Sequence, residues 1–559
     1  MDNLIDRFKR PIPSQKEYHA RLAREFELID KFKFSCIFEK IDDVTALADG
    51  VPHITRGSAS CSLVSYLMGI SEIDPITNNI SLARFMNDHR PDNPDIDLDF
   101  PYDKRDGIIE KIFDKWPNKV ARISNRIHYR KDGAIREAMR RLGCKSKIPR
   151  KANIKELMPG KEARVLELAE CLIDQHSHYS LHCGGLVFFE DEVPRELLIG
   201  RNQISYDKND VDELGILKID LLCNRALAQL LDIDQRALTS YPDNDPKIAE
   251  LFASGDVIGI TFAESPTFRK AAKAVKPRNI QELAVALALI RPAAASRGRK
   301  KTFLDKWTEE RKITQIVFED DAIQQIQSLL GCSEDRADYY RRAFAKNNFK
   351  LIDEFKQQII HHPDVDLIIA ELLQIKMYSF CKSHALSYAY LVWALAYQKV
   401  YNPHKFWMAT LNHCKSMYKP WVYIQEAKRC GLKIDMGKPK WYLHEQTLKK
   451  PQYQMWLFEP DIKEQYDRFG SWFKDVIPNG LHIHRDGDWL EFRALVACHR
   501  KMKDITFVTV GDGTGVYYDL ILDSSIDMHG VDIIQGSGEI NHDGYNETVT
   551  VYGFRLEKV

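Results

Sequence analysis

The chain carries no net charge: Lys and Arg together number 80, and so do Asp and Glu. Neutrality removes the simplest argument for a polyanionic partner but does not exclude one, provided the cations gather on one surface. Cysteines number 11, without a CxxC pair or a regular framework. That speaks against a zinc site or a disulfide scaffold and for reduced thiols in a cytoplasmic protein. No apolar run approaches the ~18 residues of a membrane span. The start, Met1 to Arg7, is charged and has no apolar core for a secretion signal. Internal repeats and low-complexity segments are missing too. With 44% hydrophobic and 29% charged residues the chain reads as globular and soluble. Its 559 residues exceed one core, so roughly three or four domains are expected.

What is there centres on Pro94-Asp95-Ile96-Asp97-Leu98-Asp99-Phe100. Alternation predicts a strand with Asp95, Asp97 and Asp99 on one face and the apolar residues on the other. Same-face neighbours on a strand lie roughly 7 Å apart, so one divalent cation can take an oxygen from each of two carboxylates. The same pattern also suits a solvated acidic edge strand or loop. A metal site needs a third carboxylate from elsewhere. Asp220, alone among aliphatics in Ile216-Leu217-Lys218-Ile219-Asp220-Leu221-Leu222, is the candidate, because an uncompensated buried carboxylate is costly. An ion pair with Lys218 on the same face is the structural alternative.

Other stretches carry weaker signals. Residues 16 to 49 read as helical. Arg56-Gly57-Ser58-Ala59-Ser60-Cys61-Ser62 is a small-residue loop opening an apolar run. It offers backbone N–H groups and hydroxyls to a phosphate, or is a tight helix entry. Residues 105 to 175 are rich in helix formers and basic, with Arg122, Arg126, Arg130 and Lys131 among the cations. They form either a solvated helical face or a surface tracking a phosphate backbone. In Leu181-His182-Cys183-Gly184-Gly185-Leu186-Val187-Phe188 the glycine pair marks a bend or a close backbone approach. From 244 to about 445 the chain reads mainly helical. This stretch includes Arg291-Pro292 and a basic loop after it, Ala337 to Lys346 with its interleaved aromatics and cations, and Phe380 to Ala385 opening a long apolar helix. Gln454-Met455-Trp456-Leu457-Phe458 puts large apolar side chains in a polar connection, as an exposed docking peptide or a buried turn. From about 487, short alternating strands around a Gly-rich turn predict a small barrel of the OB type.

Taken in order, these motifs resemble the alpha (polymerase) subunit of bacterial DNA polymerase III, the C-family of replicative polymerases. The similarity covers most of residues 18 to 445 and continues weakly into the barrel-like end. It implies an α/β multidomain fold: a palm like that of nucleotidyltransferases related to polymerase beta, a helical thumb inserted between its two catalytic strands, helical fingers, and a terminal OB-type β-barrel. The expected divisions are palm 1–110, thumb 111–178, palm again 179–243, fingers and helical region 244–450, linker 451–486 and OB domain 487–559. The resemblance implies template-directed addition of dNTPs to a primer 3′-hydroxyl. Asp95, Asp97 and Asp220 would be the ligands of two Mg²⁺ ions. Gly57 and Ser58 would lie beside the triphosphate, and Lys208, Lys218, Arg291, Arg341, Arg342, Lys382 and His384 would line the nucleotide and primer terminus. Arg122, Arg126, Arg130 and Lys131 would grip primer–template DNA. Gln454 to Phe458 would be the peptide that docks on a sliding clamp.

The sequence also departs from the family. Palm-like sequence begins within the first twenty residues or so, where the family carries a PHP domain, and no exonuclease motif is present, so a polymerase without proofreading is expected. The usually Gly-rich loop carries Ala59, Ser60 and Cys61, and Arg-Pro-Gly-Pro reads Arg291-Pro292-Ala293-Ala294. The middle of the fingers is short, and no helix-hairpin-helix glycine pattern precedes the barrel. Two other readings are an inactive DNA- or clamp-binding scaffold of the same fold and a lesion-bypass polymerase. The expected setting is the cytoplasm of a bacterium or of a phage-infected bacterial cell, without a membrane partner.

Overall fold

Alternation of buried and half-buried residues builds the central sheet. In the computed structural model, β1 (Ile54–Gly57), β2 (Ile96–Pro101), β3 (Val120–His128), β4 (His176–Phe188) and β5 (Leu217–Asn224) form one sheet in the order β1-β2-β5-β4-β3. The described residues are 2–89, 94, 96–290, 304, 307, 316–373, 381–413, 417–436, 442–444, 447–450, 486–502, 504–511, 517–542 and 547–557. β2 and β5 run parallel at the centre, and the other pairs are antiparallel. Ile96, Leu98 and Phe100 on β2 and Ile219 and Leu221 on β5 are fully buried, so the apolar face of both central strands enters the core. On β4, Leu186 and Phe188 join this main core, whereas Val187 packs with Ala121, Ile123, Val193, Ile204 and Val211. Opposite faces of that strand are therefore both covered.

A parallel pair needs a long connection, and the chain between β2 and β5 supplies more than a crossover. It contains β3, β4 and a small helical unit. In that unit, helices Lys131–Arg141 and Glu162–Leu172 pack around Ala134, Ala138, Met139, Val165, Ala169 and Leu172, a core separate from the main one. The basic stretch expected to be helical is in part a strand. Arg122 and Arg126 lie on β3, which runs through the range expected to be thumb and forms the edge of the central sheet. Val120, Ala121, Ile123 and Ser124 are buried there against β4, and this pairing overrides local helix preference.

Helix Lys382–Tyr401 passes through the main core. Leu386, Leu391, Val392, Trp393 and Leu395 are fully buried, and the helix packs against Ile280–Leu289. Residues 316 to 373 hold a further cluster around Tyr340, Phe344 and Phe355. Residues 433 to 450, read as helical from the sequence, contain instead a small sheet of β6 (Lys433–Met436), β7 (Tyr442–His444) and β8 (Thr447–Lys450).

The last segment closes into a barrel. β9 (Trp489–Lys501), β10 (Ile505–Gly511), β11 (Tyr517–Asp523), β12 (Ile533–His542) and β13 (Glu547–Glu557) follow the order β10-β11-β13-β12-β9, with β11 and β13 parallel. This is the five-stranded OB arrangement anticipated above. Leu495, Ala497 and Ile533 belong to the main core, and Lys419 binds Asp532 at 2.6 Å, so the barrel is docked on the helical body. Gln454 to Phe458 lie outside the described residues. No helix among the described residues is long and apolar enough to cross a membrane.

Candidate active site

Register brings two of the expected carboxylates together. Asp97 on β2 stands directly opposite Asp220 on β5, and neighbouring strands lie about 4.8 Å apart. Both side chains remain partly open, with relative exposures of 18% and 13%. The ion pair considered from the sequence is present: Lys218 Nζ donates to Asp220 Oδ2 at 2.7 Å. It uses only one oxygen. Asp220 Oδ1 is buried and, among the described residues, has no hydrogen-bond partner; the ring nitrogen Nδ1 of His182 lies 3.8 Å away. A buried carboxylate oxygen left without a donor is costly, and a hard divalent cation binds such oxygens. The pair Asp97 and Asp220 therefore fits a divalent metal. Asp95 lies outside the described residues, and among those described no group of three or more His, Cys, Asp or Glu is gathered closely enough to share an ion.

The glycine pair explains why Asp220 sits here. Gly185 is the register partner of Asp220. A Cβ on Gly184 would fall 2.6 Å from the Leu221 carbonyl oxygen, and one on Gly185 2.6 Å from Ile123 Cγ1 and 2.8 Å from His182 Nδ1. The bare backbone also lets Gly185 N donate to His182 Nδ1 at 2.8 Å, which leaves the ring proton on Nε2 when His182 is neutral. Burial, reinforced by Lys218, Lys208 and Arg122, lowers the His182 pKa against the pull of Asp220.

Asp99 has another task. It is 3% exposed and surrounded by donors: Asn224 Nδ2 and the Tyr388 hydroxyl each reach its Oδ2 at 2.9 Å, and Arg56 Nε lies 2.8 Å from its Oδ1. The Arg56 guanidinium is 3.8 Å from Asp97 Oδ2. Asp99 is thus a strut that holds Arg56 beside Asp97. Arg56, His182, Asn224 and Tyr388 are not among the site residues expected from the sequence. An Arg directly before Gly57-Ser58 and a polar residue closing β5 were the available signals.

Gly57 adopts φ 75°, a left-handed value that favours glycine. It pairs with Ile96, which puts Gly57 and buried Ser58 next to the start of β2. The helix entry that follows is not open to a phosphate, contrary to one reading of this loop. Glu25, fully buried, accepts from Ser62 Oγ at 2.6 Å, Leu63 N at 2.7 Å and Val64 N at 3.0 Å. Its long side chain comes from helix Lys16–Phe32, 37 residues away from Ser62, a distance no local pattern reveals.

The expected nucleotide-lining residues divide. Ser383 Oγ meets Ser60 Oγ at 2.7 Å, which brings Lys382 and His384 beside the loop; His384 also stands edge-on to Tyr388 at 4.7 Å. Lys218 is in the site, and Lys208 opens helix Lys208–Glu213 within electrostatic reach of His182. Arg341 is buried, with Nε 2.7 Å from Asp338 and a terminal nitrogen 3.3 Å from Glu319, so its charge is balanced inside the protein. Arg342, its neighbour, is half-buried, and Arg291 lies outside the described residues.

Among the expected DNA-gripping cations, Arg126 on β3 pairs with Asp210 at 2.7 Å and Arg130 with Asp174 at 3.2 Å. Arg122 is half-buried beside Arg105, and its pKa is lowered by burial first and Arg105 second. Lys131 is exposed at the start of its helix. It lines a cleft of about 590 Å³ with Arg130, Arg136, Arg140 and Arg150.

Residues 1–223 match the family of the bacterial DNA polymerase III alpha NTPase domain, and residues 224–364 that of the bacterial DNA polymerase III alpha subunit finger domain. An error-prone DNA polymerase from Anaeromyxobacter sp. (strain K) is 28% identical over 497 residues, covering 75% of this chain and 44% of the relative. The DNA polymerase III subunit alpha of Ureaplasma parvum serovar 3 is 29% identical over 525 residues, covering 82% and 52%. The chain thus spans about half the length of the curated relatives it matches. With successive family matches that meet at the end of β5, just past Asp220, the chain belongs to the bacterial DNA polymerase III alpha family.

Proposed function

We propose that this chain is a template-directed DNA polymerase that adds dNTPs to a primer 3′-hydroxyl. The observation that carries the reading is the juxtaposition of Asp97 and Asp220, with one oxygen of Asp220 buried and lacking a donor among the described residues. Asp97 and Asp220, with Asp95, would hold two Mg²⁺ ions. When bound, such ions lower the pKa of the attacking hydroxyl and neutralise charge on the leaving pyrophosphate. The protein's own part is positional. Lys218 anchors Asp220 through its second oxygen, and Asp99 keeps Arg56 at the edge of the site, where its charge faces Asp97 and an incoming triphosphate. Gly57 and Ser58, Lys208, Lys382, His384, Arg342 and Arg291 would frame the nucleotide, with fixed cations compensating the charge of the transferring phosphoryl. Arg122, Arg126, Arg130 and Lys131 would hold the duplex, and Gln454 to Phe458 would dock in a sliding clamp as apolar anchors with a polar fix at Gln454.

The test is extension of a labelled primer with Mg²⁺ and all four dNTPs, run for wild type and Asp97→Asn, with a control lacking template. Template-copied product that falls by on the order of 10²-fold or more in the variant supports the polymerase and its metal ligands together. Template-independent addition would make it a terminal transferase. No extension by folded, DNA-binding wild type would leave a scaffold.

A further inference from the structure

The loop beside the candidate site and the helix that contacts it each carry a thiol, and the two thiols meet. Cys61 ends the 3₁₀ turn Ser58–Cys61 and is fully buried. Cys381 caps helix Lys382–Tyr401 and is half-buried. Their sulfurs are 4.0 Å apart, and the Ser383 hydroxyl lies 3.3 Å from one and 3.0 Å from the other. Although 320 residues separate them in sequence, they face each other across the contact between the Gly57-Ser58 loop and the helix bearing His384 and Tyr388.

We propose that Cys61 and Cys381 are a redox modification site, oxidised by peroxide to a disulfide that ties the loop to the helix. Closing the bond requires the sulfurs to approach by about 2 Å, to the S–S length of about 2.05 Å; χ1 adjustments at both residues can supply much of that. The chemistry balances in two steps. The Cys381 thiolate attacks one oxygen of hydrogen peroxide, the O–O bond breaks, hydroxide leaves, and Cys381 becomes a sulfenic acid. The Cys61 thiol then attacks that sulfur, the S–O bond breaks, water leaves, and the disulfide forms. Partial exposure assigns the first step to Cys381, and burial makes Cys61 the resolving thiol. The local field agrees: a hydrogen bond from the Cys61 thiol, with the Arg84 guanidinium nearby, favours thiolate on Cys381, while the same contact and burial raise Cys61.

The consequence rests on the polymerase reading; the bond does not. A covalent tie here would stop the helix carrying His384 and Tyr388 from moving relative to the loop and to Asp99, which Tyr388 touches. The experiment treats the full chain with stoichiometric hydrogen peroxide, blocks residual thiols, and maps linked peptides by mass spectrometry. Primer extension is assayed before treatment, after it, and after dithiothreitol. The expected result is a Cys61–Cys381 linked peptide and a tenfold or greater loss of extension that the reductant reverses. Cys381→Ser, whose hydroxyl suits the N-cap position, should form no such link and keep its extension through treatment. A wild type whose exposed thiols oxidise while this pair stays unlinked overturns the proposal, as does a link that leaves extension unchanged. A chain that links Cys61 to Cys381 but never extends a primer keeps the site and instead removes the polymerase reading.

Discussion

The Tyr388 hydroxyl, on helix Lys382–Tyr401, donates to Asp99 Oδ2 on β2 at 2.9 Å, so the helix and the carboxylate strand are joined by a partly buried hydrogen bond. Desolvation, with the charge of Asp99, raises the Tyr388 pKa and keeps the hydroxyl protonated as a donor. Phe262 packs on the same ring at 4.6 Å.

Tyr388→Phe keeps the ring and removes the donor. Asp99 retains Asn224 and Arg56, so the fold should survive with a loss of about 1–3 kcal/mol, the range for a buried acceptor deprived of a partner. Extension should slow more than DNA affinity weakens, because Asp99 acts through Arg56 on the edge of the site. Urea unfolding, steady-state kinetics and DNA binding on the same preparations check this; an equal loss in all three would mean a general structural defect.

Gly184→Ala tests the close approach of β4 to β5. The added methyl meets the Leu221 carbonyl at 2.6 Å, and a backbone atom cannot swing aside as a side-chain tip can. The strands must part, at a cost of about 1–3 kcal/mol, and Asp220 moves with its strand. A lower unfolding midpoint together with a higher Mg²⁺ concentration for half-maximal extension is expected.

The pH dependence should carry an unusual contribution from Asp321. Burial pushes its carboxyl up to about 6; the Val317 and Phe318 amides it accepts from pull the other way, as does Lys382, while Asp320 adds to the rise. Because the folded value exceeds the unfolded one, the folded state holds the proton more tightly. The contribution is full below about pH 4 and is lost as pH rises to about 6, on the order of 2–3 kcal/mol in all. Asp321→Asn, compared with wild type by denaturant unfolding from pH 4 to 7, should flatten this slope and stabilise the protein at neutral pH.

Arg130 and Lys131 are exposed at the mouth of the basic cleft. Replacing both by Ala should weaken duplex binding regardless of sequence and reduce the slope of log affinity against log salt by about 0.9 for each phosphate no longer neutralised. An unchanged slope in a fluorescence-anisotropy salt series would remove this surface from the DNA path. Arg126, whose pair with Asp210 is shorter and far less exposed than that of Arg130 with Asp174, should change the slope less.

Local periodicity in the sequence determined many of the elements and part of the site. Asp97 and Asp99 on one face of a strand, Asp220 among aliphatics with Lys218 beside it, the close approach at Gly184-Gly185 and the barrel strands all follow from side-chain spacing or from the cost of burying charge. Spacing is a property of adjacent residues, so it is readable without a fold. Tertiary structure alone decided which charges remain available. Glu25 takes the helix-entry amides from 38 and 39 residues away, Asp338 and Glu319 neutralise Arg341, and Asp99 gives its oxygens to Arg56, Asn224 and Tyr388. β3 became a strand where composition favoured helix because pairing with β4 outweighs propensity. Whether a carboxylate meets a metal, a cation or an amide depends on which distant segments the packed core brings against it, and that information lies in no single stretch of the chain.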